Sequence, residues 1–320
     1  MVVVADSIMT FFGSTANDAA FSAWTVDVAT PDIRGRVEGV LNLSVFLAQI
    51  AAMVTAGILI DSLGYFNFFY TLGGIVILVG LIGGLLLRDP IKDMQSVENR
   101  KPFLQEFAEL FSLNTLQNNK NLFILLLFIM ISSIGMQVSF PYMIVYLENY
   151  VGVSKTEFSI IGGAVMLGSA VLAIPFGILA DRWKKRLMIA IAIFLSSLGG
   201  VLLSMVKTLP LLALTGLVWQ AFSVASSIAS VAWLKDLLPE ESRGKFLGIR
   251  MIFWIAIPMV IGPAIGSRLI QTFGIPTIVN GETGFIPVPV IFQVGSLVSL
   301  LALIPLAFMK GRKDKANETH

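Results

Sequence analysis

The chemistry open to this sequence rests on a few polar side chains set inside long apolar runs. Asp18 is the one charge placed well within such a run. It shares a helical face with Ser7, Thr10, Ser14 and Ser22, at i+3 and i+4 spacing. A carboxyl withdrawn from water holds its proton more tightly, so it can load and release that proton as its surroundings change. The same carboxylate could instead bind a cationic solute or face a basic group elsewhere. A second stripe runs through Trp219, Ser223, Ser227 and Ser230. Further along, Ser139, Tyr142 and Tyr146 share a face, with Gln137 and Pro141 beside them; Ser139 and Tyr142 are the deeper pair, and Tyr146 suits an interfacial aromatic belt. Asn42 and Gln49, seven residues apart, share another face, and Gln293 reads as peripheral. The competing account is helix packing by small polar residues, which suits the serines well and Asp18 poorly.

These side chains need elements that hold them away from water. The 320 residues are 56% hydrophobic and only 13% charged, against about 25% charged in a soluble domain. Apolar blocks of roughly 20 residues match the thickness of a bilayer core. With no water at that depth, each block must satisfy its own backbone, and the helix is the default. The predicted fold class is therefore all-α, a polytopic membrane helical bundle. Nine spans are expected, near 3–26, 37–60, 66–87, 121–147, 158–180, 186–206, 210–233, 246–268 and 285–309.

The net charge of +2 is too small to suggest nucleic acid. There is no Cys and the single His is His320, so a thiol nucleophile, a catalytic imidazole and a histidine metal site have no residues to build them. No cofactor, metal site or catalytic residue is expected, and no phosphate loop is present. The chain does not read as an enzyme.

Of the 22 Lys and Arg residues, all but Lys155, Lys207 and Arg268 fall on one side of the nine expected spans. By the positive-inside rule that side is the cytoplasm, which also receives the C-terminus. The location expected is the plasma membrane, with multiple passes. An odd span count puts the N-terminus outside, although residues 1–12 lack the basic n-region of a signal peptide.

Displacing the chain by 209 residues against itself brings Ser14 onto Ser223, Trp24 onto Trp233, Asp27 onto Asp236, Arg34-Gly35 onto Arg243-Gly244, Gly39 onto Gly248 and Gly57 onto Gly266, without a gap. Ala16, Ala20 and Ala23 also match, at Ala225, Ala229 and Ala232. Shared small-residue composition explains the alanines but not Trp, Asp and Arg-Gly in register. The expectation is an internal repeat of two pseudo-symmetric halves, with roughly three further spans upstream to complete the first. The repeat predicts residues 1–87 as the remainder of an N-terminal bundle, 88–120 as a cytoplasmic linker, 121–309 as a C-terminal six-helix bundle and 310–320 as a cytoplasmic tail.

Gly177-Ile-Leu-Ala-Asp181-Arg182-Trp-Lys-Lys-Arg186 resembles the G-x-L-x-D-R-x-G-R-K signature of the major facilitator superfamily, with Lys184 where that pattern has Gly. The two Asp-(x)6-Arg-Gly segments, at Asp27 and Asp236, resemble loops of the same family after its fourth and tenth spans. Gly262-Pro263-Ala-Ile-Gly266 resembles an element found in the spans of some exporters. The resemblance covers the whole chain as spans four to twelve of twelve. It implies that the spans bearing Asp18, Ser139 and Trp219 line a central cavity. It also implies a cytoplasmic gate, in which Asp181 meets the start of a helix near Arg34-Gly35, where unpaired N–H groups attract an acid. Arg182, Arg186, Arg243 and Gly244 belong to the same loops. The plainer account is a solvated acid among topology-setting cations, with the glycines as helix punctuation.

The function expected is secondary transport of a small organic solute by alternating access, as symporter or antiporter, with H+ as a possible coupling ion. The pathway would use Thr10, Ser14, Asp18, Asn42, Gln49, Ser139, Tyr142, Trp219, Ser223 and Ser227. Its partners would be a small-molecule substrate and the lipid bilayer. The alternative is a truncated, non-transporting membrane protein, or a subunit that depends on a partner.

Overall fold

Where an apolar run must close its backbone hydrogen bonds internally, Gly and Pro decide where the helix bends or ends. A computed structural model describes residues 34–86, 117, 119–237, 249–279 and 282–309. The chain divides into two compact units, Met1–Arg100 and Lys101–His320. Seven helices among the described residues are long and apolar enough to cross a membrane.

In the first unit, α1 (Arg34–Leu86) is helical throughout except at Gly64, whose φ of 76° and ψ of 163° lie outside the helical range. That region of dihedral space is essentially closed to residues with a Cβ. Gly64 falls in the short gap between the second and third expected spans, so a kink at this residue separates the two helical stretches. The expected first span lies outside the described residues.

The second unit holds six spans. The first begins as α2 (Lys120–Ser139). Pro141 cannot donate a backbone hydrogen bond, and the chain tightens there into a 3-10 turn, Phe140–Tyr142. The span resumes as α3 (Met143–Tyr146) and loosens into a π-helical turn, Leu147–Val151. Gly152, at φ 88°, ends it in the left-handed conformation. Next is α4 (Lys155–Arg182), capped by a reciprocal pair: the Ser154 hydroxyl accepts from the Glu157 N–H at 3.2 Å, and the Glu157 carboxylate accepts from the Ser154 N–H at 2.9 Å. α5 (Lys185–Leu203) and α6 (Leu209–Leu237) follow. The fifth span passes through a π-helical turn, Ile252–Ala256, into α7 (Ile257–Phe273). The last span comprises α8 (Val290–Leu301) and the short α9 (Leu303–Ala307).

One element corrects the expected boundaries. The last span does not begin at 285. β1 (Ile275–Val279) pairs antiparallel with β2 (Glu282–Ile286), with Val279 opposite Glu282. The two residues between them in the sequence are Asn280-Gly281, the dipeptide that tight hairpins favour. Phe285 and Ile286 end β2 and run on toward Val288 and Val290, so a hydropathy window reads the end of the strand as the start of the membrane helix.

Two apolar clusters brace the second unit. One gathers Leu122, Leu125 and Phe128 of α2 with Ile189 of α5, Leu234 of α6 and Leu306 of α9. The other gathers Tyr146, Leu203, Leu212, Trp219, Ile270 and Phe292. α5 packs on α6 and α8, α6 also on α4, and α2 on α7 and α8. Small residues make the close approaches, as is usual between membrane helices. A Cβ added to Gly199 would lie 2.6 Å from the backbone nitrogen of Trp219. One added to Gly262 would lie 2.8 Å from the Gln137 carbonyl carbon. Gly262-Pro263-Ala-Ile-Gly266 is thus the seam that lets α7 lie against α2. On α4, Ile160, Leu167, Val171, Ile174 and Ile178 form an exposed stripe, the side suited to lipid.

Candidate substrate cavity

α6 carries a polar stripe. Trp219, Ser223, Ser226, Ser227 and Ser230 recur at i+3 and i+4 and line one side of a cavity of about 240 Å³ within the second unit. Phe128, Ile129, Ser132, Ser133 and Met136 of α2 line another side, joined by Ser196 of α5 and Ser299 of α8. Arg250 and Trp254, from the start of the fifth span, complete the lining. The walls are apolar and the polar groups are hydroxyls, one amide from Gln220 and one guanidinium.

The hydroxyls are only partly engaged. The Ser196 and Ser223 oxygens lie 2.7 Å apart, and both reach the Trp219 carbonyl, at 3.0 and 2.9 Å. Three contacts share two hydroxyl protons, so at most two are donated at once. Ser299 donates to the Ser132 carbonyl at 3.3 Å, and Ser132 to that of Ile129 at 3.0 Å. Ser230 is buried, yet among the described residues its hydroxyl has no hydrogen-bond partner. A smaller pocket of about 10 Å³ adjoins, sharing Met136, Ser196, Trp219 and Ser299 and including Ser139. It has the room of about one water molecule, and the buried hydroxyl of Ser197 on its wall is likewise unpartnered among the described residues.

Trp219 stands between the two pockets, its ring edge-on to Phe292 with centroids 6.0 Å apart. Arg250 is half-buried and its guanidinium carbon sits 4.3 Å from the centre of the Trp254 ring, a cation–π stack. Charge counting along the sequence treats Arg250 as one more cytoplasmic cation; in the fold it is a wall of the cavity. The spacing of Arg250 and Trp254, four apart on one helical face, was the available signal.

The residues singled out from the sequence fall into groups. Trp219, Ser223 and Ser227 line the cavity and Ser139 the adjoining pocket. Tyr142 does neither: its hydroxyl donates to the Pro263 carbonyl at 2.8 Å, tying the first span to α7. Tyr146 is fully buried, stacked on Tyr150 rather than placed in an interfacial belt. Gln49 is exposed on α1, while Asn42, Arg34 and Gly35 lie on α1, the side chains of Asn42 and Arg34 being outside the described set. Arg186 donates to the carbonyls of Met309 and Ala307, at 3.1 and 3.0 Å, and so caps α9. Arg182 is exposed, and Asp236 pairs with Lys185. Thr10, Ser14, Asp18, Arg243 and Gly244 lie outside the described residues, as does the side chain of Asp181. Ser132, Ser133, Ser196, Ser226, Gln220, Ser299, Arg250 and Trp254 were not singled out for this role; most sit on helices whose polar residues are too sparse to form a stripe.

The family described as Major Facilitator Superfamily matches residues 2–140 and 125–320. An uncharacterized MFS-type transporter of Methanocaldococcus jannaschii is 23% identical over 196 residues, which cover 61% of this chain and 48% of the relative. The uncharacterized MFS-type transporter YdeE of Escherichia coli is 29% identical over 149 residues, 45% of this chain and 36% of the relative. The inner membrane transport protein YajR of Escherichia coli is 29% identical over 139 residues, 42% of this chain and 30% of the relative. The chain therefore spans less than half the length of each of these relatives.

Proposed function

Because this chain belongs to the major facilitator superfamily, we propose that it takes part in moving a small organic solute across a membrane by alternating access. The observation that carries the reading is the half-satisfied polar cavity among the spans of the second unit. Buried hydroxyls without partners cost stability, and polar groups at membrane depth are expensive enough to mark a pathway. A passing solute satisfies them transiently, which a packing role does not require.

The coupling ion in this reading is the proton, and its carrier is Asp18, the one charge set well inside an apolar run. The test is solute flux in proteoliposomes containing the purified protein, with labelled anionic, neutral and cationic organic solutes and an imposed pH gradient. At least one class accumulates against its gradient. Asp18→Asn abolishes that accumulation and spares counterflow exchange, because the solute path survives while proton loading does not. Accumulation that persists in Asp18→Asn removes Asp18 from coupling. Absence of flux for all three classes overturns the transport reading.

A further inference from the structure

We propose that the cavity holds an anion subsite built on Arg250, and that its ligand is a small amphipathic organic acid with a ring or short apolar body. This deepens the transport reading and rests on the same cavity.

Three observations converge. First, Arg250 is half-buried against Trp254, and among the described residues it has no carboxylate partner and no hydrogen bond. A guanidinium drawn partly out of water is costly without a counter-charge. An arginine that serves only to orient the chain extends its head to water; this one lies over an indole ring and lines a cavity. Second, Ser230 lines that cavity and is 3% exposed, and its hydroxyl has no partner among the described residues. A cation with a free planar fork of N–H donors and a hydroxyl proton without an acceptor each call for an oxyanion. The described lining holds no acid to compete for them. Third, the remaining wall is apolar, with Phe128, Ile129, Met136 and Trp219 available to a ring or short chain.

The size bounds the ligand. About 240 Å³ lies just under the roughly 300–1,000 Å³ of typical small-molecule sites. One or two fused rings with a carboxylate or sulfonate fit this chemistry; a dinucleotide or a large drug does not. A planar carboxylate suits the guanidinium fork better than it suits a lysine, whose ammonium is a point charge.

The experiment uses isothermal titration calorimetry on the whole purified chain in detergent, with 2-naphthoate as probe. The isosteric neutral 2-naphthamide and the cationic 2-naphthylmethylammonium are the comparators. The expected order is naphthoate tightest, by about tenfold or more over the amide, the gain typical of a charge-assisted hydrogen bond. Arg250→Gln brings naphthoate down to the level of the amide. Arg250→Lys keeps part of the preference, and Ser230→Ala lowers naphthoate affinity about threefold to tenfold. Should Arg250→Gln fail to fold, as judged by size exclusion, the Lys and Ala variants carry the comparison. Equal affinity for acid and amide overturns the proposal, as do preference for the cation, a preference that survives Arg250→Gln, and absence of naphthoate binding at millimolar concentration. The two readings separate cleanly: Arg250-dependent binding without flux in proteoliposomes leaves the subsite standing and removes transport. Flux of solutes with no dependence on Arg250 does the reverse.

Discussion

Single residues carry much of this molecule's specificity, and Gly152 shows how. It turns the chain from the first span of the second unit toward α4 with φ at 88°, and no atom lies within 4 Å of where a Cβ would stand. Space is free, so any penalty for substitution comes from the dihedral alone. Gly152→Ala should lower stability by roughly 1–2 kcal/mol, and Gly152→Asn by less, because Asn tolerates the left-handed region. Thermal unfolding in detergent reads the difference, and an Ala variant that melts with the parent protein would show that the turn takes another conformation. The same scale shows what the sequence concealed. Trp219, Ser223 and Ser227 were legible because α6 is regular over that stretch and its period brings them to one side. Tyr142 was not: the helical period extends smoothly past Pro141 on paper, whereas the tightened turn at 140–142 rotates the face and delivers the phenol to Pro263. Arg250 was hidden differently. A cation near a span end is absorbed by the topology rule, and only its stacking on Trp254 and its place on the cavity wall reveal a second use.

Among the elements, contact between helices decides whether these residues meet at all. α5 and α6 approach so closely at Gly199 that an added Cβ would meet backbone rather than a movable side chain. That approach sets Ser196 against Ser223 and the Trp219 carbonyl. Gly199→Ala therefore has no rotamer escape and must push α6 away, at a cost of about 1–3 kcal/mol. It should also weaken whatever binds beside Ser223. Unfolding and binding titration should both move; a variant unaltered in each would mean the seam can open without consequence. Gly177, by contrast, has open space around its Cβ position, so the glycine of the D-R loop signature is not held there by packing within the described structure. The spans of the second unit were legible to within a few residues because a bilayer writes its thickness into hydropathy. The hairpin at 275–286 was not, since it falls mostly in the gap between the last two expected spans and only the Asn280-Gly281 turn signal marks it.

For the whole molecule, the prediction concerns which face is the cytoplasm. The placement of Lys and Arg implies that the chain ends inside, and that the loop holding the hairpin is outside with Arg268 near its foot. The second unit has six candidate spans in succession, and successive spans cross in opposite directions, so one assignment would determine all its loops. The chain has no cysteine, so each introduced thiol is the only one present and its reactivity reports a single position. Asn280→Cys, in the sequence between β1 and β2, should react with a membrane-impermeant maleimide in intact cells. Asn317→Cys, in the C-terminal tail, should react only after the membrane is opened. The reverse pattern would invert the molecule and place Arg250 at the outer mouth of the cavity rather than the inner one. Labelling of both thiols in intact cells would break the alternation itself, and with it the six-span count. Because Arg250 stands near the start of its span and Trp219 deep in another, the orientation also says which compartment meets the cation first. With the C-terminus inside, an organic anion approaching from the cytoplasm meets Arg250 before it meets Trp219. Protection of Arg250→Cys from a cytoplasmic thiol reagent by 2-naphthamide, whose binding does not require the guanidinium, would then locate the mouth of the cavity on that side.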